Sequence, residues 1–526
     1  MYAFLLAASF LTSIAAGVAP QEDPAVRFLT HDDTITTSQA AGIYLQNRSG
    51  APLHDVVVTL TFADGLKLHG DLRGYGAWVC ANDSAQSASC RIDMLGSNEE
   101  AGFVFHLLAR TGTGGDFAAR ATITAGDLPP VPPIDFNVAS TTNYIVSTGE
   151  DFGAGSLRDA IELINENPLC GTDVPCMVSF GSAMTISPTI PLPPIRKCNV
   201  DIAGREDYIF PFWNQENGIS GGRASYGNGL EIRATCAPGV PGVSITNIAV
   251  HSWPWNGIYF EAPEAQPADF AGHRVLRANV GVATDGWTAA PNGARGIVTD
   301  SPHEVVQISD SIISANGRSG VAFWRGKHGS IVGSKIGVDR DDKPMGNRAA
   351  GVFSNGVPFS VEFCLIAHNQ TGVSIAKGTP KAAISGSEIY WNEGLPIDWG
   401  LDARTPSDDD ESDAIPNAPQ VVEVIYNESE DTISVRGFVR LRAGTFTGKF
   451  GLAFYIARSE RGDVEAVFHL PPASITAHAT GDVSFDVTLP MLADPRGRFI
   501  SAQTQVLGQE SEVVISSEIS EAVIVR

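Results

Sequence analysis

Positive charge is scarce in this chain: 35 Lys and Arg stand against 59 Asp and Glu, a formal charge of −24. A surface of that sign repels phosphate backbones and anionic lipid, which excludes nucleic acid and acidic membranes as partners. Charged residues of either sign reach only 18%, and helix-favouring runs are few while glycine is plentiful, which suits an all-β exported protein. No CxxC and no Cys/His cluster occurs, so a structural zinc site is excluded. Nothing matches a serine-hydrolase elbow or a phosphate-binding loop. Beyond the first residues no span reaches about 18 apolar positions, so no membrane span remains after that point. The acidic surface instead favours solubility and suits divalent cations.

What is present begins with "MYAFLLAASFLTSIAAGVA" (1–19), an apolar run ending in small residues, the pattern of a signal peptide. Its start carries no Lys or Arg, which leaves a membrane anchor as the alternative. Seven cysteines support export. Cys80 and Cys90 bracket one short polar loop, and Cys170 and Cys176 bracket another. Cys198 and Cys236 make a plausible third pair, although spacing leaves the connectivity open. A secreted, extracellular or cell-surface protein is expected.

Residues 25–138 alternate apolar and polar positions in runs such as "DVVVTLTF" and "AGFVFHLLAR", separated by Gly, Asp and Asn turns. About seven short strands in a β-sandwich are expected there. "GDLPPVPPIDF" (126–136) reads as a proline-rich linker. The acidic stretch "DARTPSDDDESDAIPNAPQ" (402–420) separates a second small sandwich at 418–526.

Between them, residues 143–402 carry a repeat of a small residue followed two positions later by a branched aliphatic. The members are Thr246/Ile248, Ala278/Val280, Ser311/Ile313, Ser334/Ile336, Cys364/Ile366 and Ser387/Ile389. A period of two puts both members on one strand face. The steps are 32, 33, 23, 30 and 23 residues, where 23 suits one coil of a parallel β-solenoid and the longer steps add loops. The aliphatics should stack as an inward ladder and the small residues as a second column. Cys364 then reads as a small core residue rather than a reactive thiol. Asn316, Asn369 and Asn392 follow three positions after the aliphatic, where stacked asparagines at a tight corner can hydrogen-bond coil to coil.

One segment breaks the β pattern. In "DFGAGSLRDAIELINENPLC" (151–170), Leu157, Ala160, Ile161 and Ile164 form a helical stripe, with Ser156 as N-cap and Asp159 as its capping-box partner. A solenoid's first coil exposes unpaired strand edges, so this helix (156–165) is expected to cap it.

With "TGEDFGAGSLRDAIELIN" followed by these coils, the chain resembles the secreted bacterial right-handed parallel β-helix proteins with a pectin-lyase-like fold. The resemblance extends through "NVGVATDGWTAAPNGARGI" (279–297), "KIGVDRDDKPMGNRAAGV" (335–352) and the exit segment "PIDWGLDARTPSDDDESDAIPNAPQ". Residues 25–138 resemble the Ig-like modules of bacterial surface proteins. The resemblance implies an all-β architecture: a right-handed parallel β-helix with an N-terminal amphipathic cap helix, flanked by two Ig-like β-sandwich domains. It implies no particular activity, because fold does not determine function.

Several constellations could carry chemistry. The loops "TDGWTAAPNGA" (284–294) and "DRDDKPMGNRA" (339–349) should emerge on the same side, two coils apart, so that Asp285, Asp339, Asp341 and Asp342 approach one another. Such carboxylates suit calcium or the paired acids of a glycosidase, and equally a solvated acidic edge. In "SDDDESD" (407–413), Asp408 and Asp410 are either calcium ligands or part of a charged linker. "TDSPHEVVQ" (299–307) is similar to the Asp-Pro-His segment of alginate epimerases, with Ser301 intruding. Asp300 and His303 would suit proton abstraction beside a uronate, or the stretch is an ordinary turn. Six of the eight tryptophans lie between 253 and 399. Trp287, Trp324 and Trp391 are candidates for stacking on sugar rings, whereas Trp253 and Trp399 read as core.

The expected function is an extracellular binding or adhesion scaffold for polysaccharide or cell-surface glycan, with no catalytic motif and no required cofactor beyond the calcium those aspartates would suit. The alternative is a polysaccharide lyase, hydrolase or uronate epimerase. That reading requires the aspartates, or Asp300 and His303, to converge with Arg295, Arg325 or Arg348 in a groove.

Overall fold

The computed structural model describes residues 26–526 except for several stretches, the longest being 206–214, 402–416, 442–447 and 458–472. The expected signal peptide (1–19) and the carboxylates Asp408 and Asp410 lie outside the described residues. Among the described residues no helix is long and apolar enough to cross a membrane. The chain divides into two compact units, 1–182 and 183–526.

In the first unit, ten strands rather than seven build two sheets. One holds Val26–Thr30, Ala41–Asn47, Glu100–Ala109 and Leu66–Gly74. The other runs Thr34–Thr36, Ile134–Ala139, Asp116–Thr124, Leu53–Phe62, Ser87–Leu95 and Val79–Ser84. Inward positions such as Ile43, Leu45, Val56, Val58, Leu60, Phe105 and Ile123 form the core. The linker reading of 126–136 is corrected at its end. Ile134–Ala139 pairs with Asp116–Thr124 on one side and Thr34–Thr36 on the other, because the prolines stop at Pro133 and every later residue has an N–H to give. Cys80 and Cys90 face each other across neighbouring strands and are bonded.

The helix forms over Leu157–Glu166. Its N-cap Ser156 Oγ accepts the Asp159 N–H at 3.2 Å, and Asp159 Oδ2 accepts the Gly155 N–H at 3.0 Å. The residues before it explain the motif. Asp151 binds Arg158 at 2.6 Å in an almost fully buried ion pair, and Gly153 and Gly155 bring the two together through left-handed turns at φ 91° and 79°. The buried stripe lies against the parallel strands Asn143–Val146 and Cys176–Phe180, and a Cys170–Cys176 disulfide ties its exit to the second of them.

The second unit coils through three parallel sheets. The first face carries strands from Val200–Ala203 to Ala382–Ser385, the second from Met184–Ile186 to Glu388–Tyr390, and the third from Leu230–Ile232 to Ile397–Trp399. Parallel sheets stacked coil on coil in this way fit a β-helix. Cys198 and Cys236 are bonded within the early coils. The aliphatic ladder stands on the second face: Val280 pairs with Ile313, then Ile336, Ile366 and Ile389, each essentially without exposure. Its first member is corrected. Val280 stands on Val250, not Ile248, and Ile248 pairs with Asn217. Thr246 likewise leaves the small column, because it lies on the first face opposite Leu276. A slip of two residues keeps every side chain on the same face, so alternation alone does not reveal it.

The asparagine corner is longer than expected. Side-chain amides bond in series from Asn292 to Asn316 (3.0 Å), Asn347 (2.9 Å), Asn369 (2.8 Å) and Asn392 (3.2 Å). Asn292 and Asn347 belong to the coils with long loops, which displace them from the three-residue spacing. The small column also bonds coil to coil. Ser311 Oγ accepts the Ala278 N–H, Ser334 Oγ the Ser311 N–H, and Ser387 Oγ the Cys364 N–H. Cys364 occupies a serine's place, 2% exposed, and burial pushes its thiol up to about 12. It should stay protonated and resist alkylation at pH 8 until the chain unfolds. Cys364→Ser should shift the melting temperature by no more than about 2–3 °C, since serine already fills this position in three other coils. Rapid alkylation of the folded protein would contradict this placement.

The last coil does not end in a bare edge. Strand Val513–Ile519 of the C-terminal sandwich lies against it: Ser516 Oγ bonds the Ile384 N–H and C=O, both at 3.0 Å, and Glu518 accepts the Trp399 N–H at 3.0 Å. That sandwich has sheets of three and five strands around Val435, Phe450, Leu452, Phe454 and Ile500.

Candidate functional site

The outer surface of the third face carries the most distinctive cluster. Along the coils, Tyr259, Val298, Ala322 and Phe353 stand side by side on adjacent strands. Val298 and Ala322 are buried at 2% and 0%, so this outward column has a small-residue floor between two rings. Next to it the register shifts. Thr299 pairs with Phe323 but Asp300 pairs with Arg325, which leaves Trp324 as the extra residue of a β-bulge. Regular alternation would turn Arg325 into the core, where an unpaired guanidinium is prohibitively costly. The bulge instead turns both Trp324 and Arg325 to solvent.

Around the bulge the groups interlock. Asp300 accepts the Tyr259 hydroxyl at 2.7 Å and the Arg325 Nε–H at 2.6 Å. Burial and then the Asp300 hydrogen bond hold the Tyr259 hydroxyl well above the ordinary phenol range, so it remains a donor. The Arg295 guanidinium lies 4.9 Å over the Trp324 ring, and Trp324 packs 5.6 Å from Phe353. Burial, then the like charge of Arg318, lower the pKa of Arg295. Nearby, Arg233 pairs with Glu231 and Glu261. Chemically this is a surface of exposed ring faces and fixed donors, in which each of these carboxylates already serves an arginine.

The residues singled out from sequence are distributed as follows. Asp300 is in this cluster, but His303 sits in an exposed turn and no hydrogen bond joins the two. The two acidic loops do meet. Trp287 Nε1–H donates to Asp341 Oδ2 at 2.9 Å, the Arg340 N–H donates to Gly286 C=O at 3.0 Å, and the Arg340 guanidinium sits 4.1 Å over the Trp287 ring. Their carboxylates are spent within the loops. Asp285 accepts two backbone N–H groups and the Thr288 hydroxyl, Asp339 Oδ1 accepts the Asp341 and Lys343 N–H groups, and Lys335 holds Asp342 at 2.7 Å. These bonds hold Asp285 below the ordinary carboxylate range although burial opposes them. Oxygens so occupied do not fit a calcium ligand set, and among the described residues no group of three or more acidic, His or Cys side chains could hold a metal. Trp287, Trp324 and Trp391 are all exposed but do not share a site: Trp287 is in a loop, Trp324 on the third face, and Trp391 at a corner against His368. Trp253 and Trp399 are buried at 1% each.

Sequence reasoning did not find Tyr259, Phe353 or the bulge. The available signal was Arg325 in "VAFWRG", at a position that alternation assigns to the core.

No protein-family model matches the chain, and no curated protein matches its sequence. Among solved structures, it is similar to tailspike protein 2 from Escherichia coli O157:H7 bacteriophage CAB120, at 10% identity and a TM-score of 0.24, over 69% of this chain and 66% of that one. It is similar to the catalytic domain of a GH87 alpha-1,3-glucanase at 12% identity and a TM-score of 0.24, over 70% and 74%. The collagen-binding domain of a Staphylococcus aureus adhesin covers 23% of this chain and 99% of its own length, at 8% identity and a TM-score of 0.17. Superposition at this level carries no function across.

Proposed function

We propose that the chain is a secreted or cell-surface scaffold that binds polysaccharide on the outer surface of its third face and performs no catalysis. In this reading the coils form a right-handed helix of the pectin-lyase-like kind between two Ig-like sandwiches, with the 157–166 helix as its cap. The observation that carries it is the bulge, which presents Trp324 and Arg325 together beside Arg295, Asp300 and Phe353. Flat rings with fixed donors at their edges are the chemistry of sugar recognition. The three bonded cysteine pairs suit an oxidising, extracellular setting.

Titration of the full chain against a polysaccharide panel tests this, with unsaturated products and reducing ends assayed in parallel, with and without calcium. Trp324→Ala should weaken binding at least tenfold, about 1.4 kcal/mol, with the fold intact. Asp300→Asn should perturb binding without revealing or abolishing turnover. Measurable turnover lost on Asp341→Ala would replace this reading with the enzymatic one.

A further inference from the structure

Three arginines on successive coils stand at the corner leading into the third face. The Arg318 N–H donates to Ala294 C=O, the neighbour of Arg295, at 2.7 Å, and the Arg348 N–H donates to Asn316 C=O at 3.0 Å. Elsewhere on the coils, arginines take carboxylates: Arg205 with Glu216, Arg233 with Glu231 and Glu261, Arg325 with Asp300. Among the described residues, Arg295, Arg318 and Arg348 form no ion pair. In a chain of net charge −24 carboxylates are abundant, so cations left together without one are conspicuous. Arg295 is half-buried over Trp324 and beside the like charge of Arg318, an arrangement that an incoming anion would relieve.

Ring faces and guanidiniums also occur on five consecutive coils. Tyr226 and Trp255 precede the first two strands of the third face, with ring centroids 6.4 Å apart, and both are about half exposed. Arg295 precedes the third strand, Trp324 lies on the fourth and Phe353 on the fifth. Four coil steps at about 4.8 Å give a track of roughly 19 Å along the coil axis, enough for about four sugar rings.

We propose that this track binds an acidic glycan strand lying parallel to the coil axis, with Arg295 and Arg318 taking its carboxylate or sulfate groups. The proposal rests on the polysaccharide-binding reading above and adds ligand charge and orientation to it. The guanidinium fork matches either anion in two-point fashion.

The test uses the full chain and a panel of polyuronates and sulfated glycans, each paired with its carboxyl-reduced or desulfated counterpart, as di- and tetrasaccharides. Acidic members should bind at least about tenfold tighter than their neutral counterparts, with affinity falling as salt rises. Comparison of the uronate and sulfate arms identifies the preferred anion. Arg318→Gln, at an exposed position, should erase most of that preference and leave neutral binding and the melting temperature unchanged. Trp255→Ala should weaken a tetrasaccharide several-fold while sparing a disaccharide. Equal binding of acidic and neutral partners would overturn the charge assignment while leaving polysaccharide binding in place. Equal effects of Trp255→Ala on both lengths would overturn the axial placement. Absence of binding to every glycan would overturn this proposal and the parent reading together.

Discussion

Asn347→Ala should destabilise the coiled region by about 4 kcal/mol, from stranded buried donors costing about 1–3 kcal/mol each. Asn347 is 2% exposed and sits mid-ladder. Its Oδ1 accepts both the backbone N–H of Asn316, at 3.0 Å, and the Asn316 side-chain amide, at 2.9 Å. Its own amide donates to Asn369 Oδ1 at 2.8 Å and Ile313 C=O at 3.0 Å. Alanine leaves two donors on Asn316 and acceptors on Asn369 and Ile313 in a site that water does not reach. Asn392 closes the ladder at a less buried position, so Asn392→Ala should cost much less. Six of the eight tryptophans lie between 253 and 399, so denaturant unfolding followed by fluorescence reports mainly on the coils. Equal losses for the two variants would show that the ladder does not act as a buried, cooperative chain.

Glu304→Leu should cost a comparable amount, about 3–5 kcal/mol, the usual consequence of removing one partner from a buried pair. Glu304 and His273 both have no exposure, and Glu304 Oε2 lies 3.0 Å from His273 Nε2, at ion-pair distance though not in line for a hydrogen bond. His273 Nδ1 accepts the Val243 N–H at 2.9 Å, which places the ring proton on Nε2, facing the carboxylate. The other carboxylate oxygen accepts the Ala262 N–H at 2.7 Å, while Phe260 and Phe270 enclose the imidazole. Leucine removes the acceptor for both donors. Glu304→Gln keeps an oxygen for Ala262 and should retain most of the stability. Leucine tolerated as well as glutamine would show that the pair is a passive filler. This result also bears on "TDSPHEVVQ": its acid next to His303 is a buried brace between coils.

Much of the fold was legible because each coil repeats one local chemistry. Val280, Ile313, Ile336, Ile366 and Ile389 recur at the same strand position and stack as their spacing implies. The helix was legible for the same reason, since its cap, stripe and first turn lie within ten residues. Ile248 was placed two residues out of register because a pleat of period two looks identical after such a slip. Asn292 and Asn347 were missed because loops of unequal length moved them along the chain without moving them in space. The acidic loops were placed together, yet their aspartates turned out to be occupied by neighbouring N–H groups and by Lys335, partners that composition does not reveal.

The sequence by itself determined the rung-by-rung content of this protein: apolar residues inward, serine and asparagine at corners, one amphipathic helix and cysteines spaced for short loops. These are consequences of residue type and local spacing. Only the tertiary structure decided which coil sits on which, where a bulge turns Trp324 and Arg325 outward together, and which carboxylates remain unoccupied. Those outcomes depend on contacts between residues about 25 to 60 positions apart, whose energies are settled when the coils stack.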